Sequence, residues 1–319
     1  MTELNRRQAL TAAIGAAGLA LARPAAGADR PAKNDISLAA WSLNLSFFRH
    51  NRWKNTDLPR ICRQDLGING IEFVNQFFDN PTLRNLGELK RQLSDHGVNP
   101  VLIMIDAEGD MSAADPAERR RAAIAHRKWV DVAEFLGCHA VRCNMGGPRA
   151  DWQQDRDLTR RAAESFQNLL DYSFDSGINV VIENHGGASS DPEVLVRLMR
   201  TVGHPRFGTL PDFGNVNRGD NHAEVVRKLV PYAKGISVKA RWTMDGQHPA
   251  YSLEELIKIC QEAGYSGYWG IESGFDPGAR GGNGRAEYSG LGADDIWQNE
   301  VKAVMLTKQV LERTVLQSG

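Results

Sequence analysis

Asp175-Ser176-Gly177-Ile178-Asn179-Val180-Val181-Ile182-Glu183-Asn184-His185-Gly186-Gly187 holds a helix stop, a β-run and a stranded carboxylate in succession. Gly177 behind Asp175 and Ser176 is helix-ending chemistry, because glycine adopts the left-handed backbone without a Cβ penalty. The run 178–182 is mostly β-branched and too short for a helix, so it reads as a strand. Glu183 then closes it. A carboxylate at the end of a buried strand is costly unless it is paired or bound to a cation.

The same unit repeats along the chain. Strands are predicted at 36–42, 70–74, 100–105, 139–144, 178–183, 206–210, 235–239 and 267–272. Helical patterns separate them at 86–96, 118–136, 159–176, 192–202, 223–232 and 253–263, with a last helix at 295–311. Asp95-His96-Gly97 and Glu262-Ala263-Gly264 repeat the helix stop seen at Gly177. Eight strand–helix units predict an α/β fold, a single-domain (β/α)8 TIM barrel, in preference to an open doubly wound sheet. Trp41-Ser42-Leu43-Asn44 follows the first strand where a Gly-rich nucleotide loop would stand, so no nucleotide cofactor is indicated.

Two further apolar runs end in an acid: Leu210-Pro211-Asp212-Phe213-Gly214-Asn215 and Gly270-Ile271-Glu272-Ser273-Gly274. In a barrel the C-terminal strand ends share one mouth, which brings Glu183, Asp212 and Glu272 together. Residues two apart share a face, so Lys239 aligns with Ser237, and Glu272 with the small Gly270. Three adjacent carboxylates repel unless a divalent cation offsets them. Oxygen donors suit Mn²⁺, Mg²⁺ or Co²⁺, and admit Zn²⁺. The alternative is that each acid caps a loop or pairs with Arg142, Lys239 or Arg241.

These segments resemble the xylose isomerase-like TIM barrel superfamily, which includes the sugar phosphate isomerase/epimerase family, tagatose-type 3-epimerases, inosose dehydratases and endonuclease IV. The resemblance rests on 182–187, 211–215, Val238-Lys239 and 270–272, in that order and spacing, and covers most of 36–311. It implies that Glu183, Asp212 and Glu272 are metal ligands, with Glu183 and Glu272 also the acid/base pair. The family's fourth ligand is usually a histidine just before Val-Lys. Here that residue is Ser237, a poor ligand, so the expectation is either a lower metal affinity or a shell completed by His185 or water.

His185 is expected to ligate the metal, polarise a substrate oxygen or bind a loop. Lys239 is expected to stabilise an oxyanion or to neutralise a carboxylate. Trp242, Asn215 and Arg142 are the expected substrate contacts, Trp242 through stacking on a sugar ring. The Gly-rich stretch from Gly274 to Gly292, with Arg280 and Arg285, reads as a lid or a connection. Such a site supports a metal-dependent sugar isomerase or epimerase working through an enediolate. A lyase opening 3-keto-glycosides by β-elimination and a non-catalytic sugar-binding barrel are the alternatives.

The rest of the sequence narrows the partners. Arg6-Arg7, the weakly apolar stretch 9–21 and Ala26-Gly27-Ala28 read as a twin-arginine signal over 1–28, with a linker at 29–35, the barrel at 36–311 and a tail at 312–319. Export to the periplasm or beyond favours an unphosphorylated sugar, and no membrane attachment is expected after cleavage. Without residues 1–28 the chain carries 35 Lys and Arg against 38 Asp and Glu, a net charge of −3, which disfavours nucleic acid. Endonuclease chemistry is further disfavoured by Asn215 and Ser237 where that branch has histidines. Cys62, Cys138, Cys143 and Cys260 are expected as buried thiols; 138 and 143 flank one strand, about 16 Å apart. Outer-helix hydrophobics permit a homodimer without locating its interface.

Overall fold

The computed structural model describes residues 34–148, 151–275 and 290–316. The signal at 1–28 and the glycines and arginines at 278–285 lie outside the described residues. Eight parallel strands form the sheet: β1 Asp35–Ala39, β2 Gly70–Val74, β3 Asn99–Ile105, β4 Ala140–Cys143, β5 Asn179–Glu183, β6 Phe207–Leu210, β7 Ile236–Trp242 and β8 Tyr268–Phe275. Their order is β6-β5-β4-β3-β2-β1-β8-β7. The two ends of that order meet through isolated parallel bridges, Thr209 with Ala233 and Asp212 with Ser237. Three backbone hydrogen bonds stitch this seam: Lys234 N to Thr209 O, Ser237 N to Pro211 O and Phe213 N to Ser237 O. The fold is the expected (β/α)8 barrel.

Nine α-helices occur among the described residues: α1 Asn44–His50, α2 Leu58–Arg60, α3 Leu83–His96, α4 Pro116–Leu136, α5 Leu158–Tyr172, α6 Pro192–Val202, α7 His222–Leu229, α8 Leu253–Glu262 and α9 Ala293–Leu311. Helix α6 shows why the sequence forms them. Asp191 accepts a hydrogen bond from Glu193 N, Pro192 occupies the first turn where no N–H is needed, and Gly203 ends the helix at φ 60°. Val194, Leu195, Leu198, Met199 and Val202 are buried, and each such side chain contributes about 1.5–3 kcal/mol of hydrophobic stabilisation.

Strand boundaries shift where pairing decides them. β7 and β8 run on to Trp242 and Phe275 because their ladder continues that far. β1 stops at Ala39, since Ala40–Leu43 tightens into a 3-10 turn. α1 and α2 are additional to the predicted helices, being too short to display periodicity. Beyond Leu311 the chain continues in a π-helical turn, Glu312–Leu316, with Val315 buried. All four cysteines are buried free thiols.

Candidate active site

Inward-facing positions on the strands carry an unusual polar load. Glu183, Asp212 and Glu272 each offer an oxygen, and these atoms lie within 4.8 Å of one another. Asp212 and Glu183 are almost fully buried, and Glu272 is half-buried. The backbone sets Asp212 in place. Asn184 brackets it, accepting from Asp212 N at 2.7 Å and donating to Asp212 O at 2.9 Å. Asp212 Oδ1 then accepts from the N–H groups of Gly214 and Asn215, at 2.8 and 2.7 Å. Ser237 Oγ donates to Asp212 Oδ2 at 2.8 Å, so the residue at the usual histidine position serves here as a hydrogen-bond donor to the acid.

Two buried cations divide the acids between them. Lys239 Nζ lies 2.5 Å from Glu272 Oε1 and 3.5 Å from Asp212 Oδ2, which makes it a counter-charge in this arrangement. Arg142 Nη1 donates to Asp106 Oδ1 at 2.6 Å, and its Nε lies 2.9 Å from Glu183 Oε2. The latter contact is an ion pair without hydrogen-bond alignment, so both Arg142 Nε and Glu183 Oε2 remain buried without a hydrogen-bond partner. Arg142 is 1% exposed, with both edges facing acids. Its expected role as a direct substrate contact is therefore corrected: it braces the site from beneath.

The remaining expected residues separate into near and far. Asn215 is half-buried at the cluster and donates to Glu183 Oε1 at 2.7 Å. His185 is exposed at the mouth and outside the three-acid group; its backbone N–H donates to Ser189 Oγ. Trp242 is buried on the outer face of β7, where its indole N–H donates to Thr307 Oγ1 of α9 at 2.9 Å. The expected stacking of Trp242 on a sugar is thus corrected. β7 runs longer than predicted, and strand alternation turns Trp242 away from the barrel axis.

Electrostatics pushes the two glutamates in opposite directions. Burial raises Glu183 well above the usual carboxylate range; Arg142 opposes this, while Asp212 and Glu272 reinforce it. Burial would raise Glu272 too, but the Lys239 ammonium overcomes it and holds Glu272 below its ordinary value. Desolvation in the crowded mouth, with the Arg142 and Lys239 charges, lowers the His185 imidazole and keeps it neutral at pH 7. A pair of acids with separated pKa values can supply an acid and a base at one pH.

Asp106 and Glu72 escaped the sequence reading. Asp106 accepts from Arg142, from Asn144 Nδ2 at 2.7 Å and from the Trp41 indole at 3.1 Å. Burial works against its charge, and Arg142 holds it below the usual range all the same. Its signal was present, because it closes the apolar run 100–105 as Glu183 closes its own. Glu72 sits mid-strand, accepts from Ser37 Oγ at 2.6 Å and occupies the space that a Cβ on Gly270 would need. Burial lifts its pKa to about 7. Because the folded state then binds its proton more tightly than the unfolded chain, stability declines as pH rises from the unfolded value, near 4.5, through about 7. Glu72→Gln is expected to stabilise the protein by roughly 1–3 kcal/mol at pH 8 and hardly at all at pH 4. Urea melts at both pH values check this.

A closed parallel barrel gathering three acids at its C-terminal rim defines a carboxylate centre able to hold a metal ion. Residues 63–293 match the model of the xylose isomerase-like TIM barrel family, and the chain belongs to that family. Solved structures of the same fold include an L-ribulose 3-epimerase, at 15% identity and TM-score 0.68, covering 89% of this chain and 95% of the other. The D-psicose 3-epimerase with D-tagatose from Clostridium cellulolyticum H10 is similar at 14% identity and TM-score 0.67, over 87% and 99%. The D-allulose 3-epimerase from Methylomonas sp. follows at 15% identity and TM-score 0.64, over 89% and 99%. No curated protein matches the chain.

Proposed function

We propose that the protein is a metal-dependent isomerase or epimerase of an unphosphorylated sugar or keto-sugar. The observation that carries this reading is the set of three acid oxygens within 4.8 Å, from the end of β5, just past β6 and from β8. The donor set fits a divalent ion: all three are carboxylates, and Glu183 Oε2 is buried without a hydrogen-bond donor. Glu183, Asp212 and Glu272 would hold the ion. When bound, it would polarise the carbonyl and hydroxyl oxygens of a sugar.

The chain's own groups supply the proton chemistry. Glu272, ionised beside Lys239, takes a proton from the carbon next to the carbonyl, and the electron pair left behind forms the enediolate. Glu183, in its protonated form, gives its proton to the other face for epimerisation, or to the neighbouring carbon for isomerisation. Asn215 orients Glu183, and neutral His185 at the mouth donates to a substrate oxygen. The 3-epimerase names of structures sharing the fold support this reaction class. The twin-arginine-like segment at 1–28 supports export and hence a substrate without phosphate.

Metal analysis of residues 29–319 purified without chelator tests the reading. About one equivalent of Mn²⁺, Co²⁺, Mg²⁺ or Zn²⁺ is expected in the parent, and almost none in a folded Glu183→Gln/Asp212→Asn variant. Absence of metal after incubation with each ion would sink the proposal. Metal binding with aglycone release from a 3-keto-glycoside, and no ketose interconversion, would move the assignment to a lyase.

A further inference from the structure

Arg241 is an inward-facing cation at the mouth of the barrel with no ion-pair partner among the described residues. On β7, Ser237 and Lys239 both point to the acid cluster, and Trp242 points outward to α9. Strand alternation therefore puts Arg241 on the inner face, one step nearer the mouth than Lys239. The neighbouring strand agrees. Arg241 pairs in register with Gly274, as Lys239 pairs with Glu272, and a Cβ on Gly274 would collide with Arg241 Nη1. The guanidinium thus lies in the groove that this glycine leaves open on the inner face of β8.

Its pairing differs from that of its neighbours. Arg142 is divided between Asp106 and Glu183, and Lys239 between Glu272 and Asp212. Arg241 is exposed and has no ion pair or side-chain hydrogen bond among the described residues, although it helps hold Glu272 ionised. A guanidinium presents a planar fork of donors matched to carboxylate or phosphate oxygens, and it cannot shed its charge. Held over the mouth by the β7–β8 ladder, it is a preformed anion contact above the acids.

We infer that Arg241 binds an anionic oxygen group carried by the substrate away from its reacting carbons. The preferred substrate is then an acidic sugar with a carboxylate at the end that faces the rim. This inference rests on the sugar-active reading above and adds the charge of the substrate to it.

The test is calorimetric binding of D-tagatose, D-tagaturonate and D-tagatose 6-phosphate to the metal-loaded protein, for the parent, Arg241→Met and Arg241→Lys. In the parent, D-tagaturonate should bind about tenfold or more tightly than D-tagatose. The anionic-to-neutral affinity ratio should fall to near one in Arg241→Met and lie between in Arg241→Lys, and the parent's ratio should shrink with added salt. A preference for tagaturonate supports the inference; a preference confined to the phosphate overturns the carboxylate assignment together with the unphosphorylated reading above. Equal affinities in the parent, an unchanged ratio in Arg241→Met, or no binding of any of the three overturns it. Turnover is scored separately. Anionic preference without ketose interconversion keeps the role of Arg241 and removes the epimerase assignment, whereas interconversion of neutral D-tagatose without anionic preference does the reverse.

Discussion

Replacing Arg142 by methionine should cost about 3–5 kcal/mol of stability, the largest loss expected from any single change at the site. The guanidinium is 1% exposed, and it faces Asp106 at 2.6 Å and Glu183 at 2.9 Å. Methionine fills much of the volume but strips Asp106 of its counter-charge and Glu183 of the cation that opposes the effect of burial. Asp106 loses the partner that holds it ionised, although Asn144 and Trp41 still donate to it. Arg142→Lys should recover part of the loss, since one ammonium cannot span both acids as the guanidinium does. Arg142→Met/Glu183→Gln should recover part as well, by replacing a buried acid that has lost its cation with a neutral amide. Urea denaturation of the four proteins measures these differences. A loss below about 1 kcal/mol in Arg142→Met would mean that the interior is wet enough to solvate both acids.

Glu272→Gln should lower turnover by about 10³-fold while leaving the barrel folded, a loss typical of removing a positioned general base. The variant keeps the shape of the side chain and still offers Lys239 a carbonyl oxygen, so circular dichroism and urea melts should change little. The pH profile carries the sharper information. Glu272 must be ionised and Glu183 protonated for the proposed transfer. The rate of the metal-loaded parent should therefore fall on the acid side as Glu272 becomes protonated, and on the alkaline side as Glu183 loses its proton. Residual activity in Glu272→Gln should lack the acid limb. A variant retaining both limbs and near-parent turnover would assign the base elsewhere.

Much of the barrel was legible because each strand is an apolar run bounded by helix-stop chemistry, and β2 and α6 match their predicted bounds. The meeting of Glu183, Asp212 and Glu272 followed from strand ends alone, since parallel closure sends every C-terminus to one rim. What escaped depended on length and on partners. Trp242 was misplaced because the true end of β7 is fixed by its ladder with β8, which strand propensity does not encode. Arg142 read as a substrate contact because its second acid, Asp106, lies 36 residues earlier, just past the end of β3. Glu72 was invisible because an acid inside an apolar run looks like a solvent-facing residue until the room opposite it, at Gly270, is seen in three dimensions.

The wall between β6 and β7 is held by two isolated bridges, whereas β7 and β8 pair continuously from Ile236 to Trp242. Breathing of the cylinder should concentrate at this thin side. The amide protons of Phe213 and Ser237, which cross it, should exchange with solvent faster than those between β7 and β8. Asp212 stands on one bank and Lys239 on the other, so anything gripped by both acts as a clasp. Slowed exchange at these two amides would then report that the barrel is occupied, even by a ligand that is never turned over.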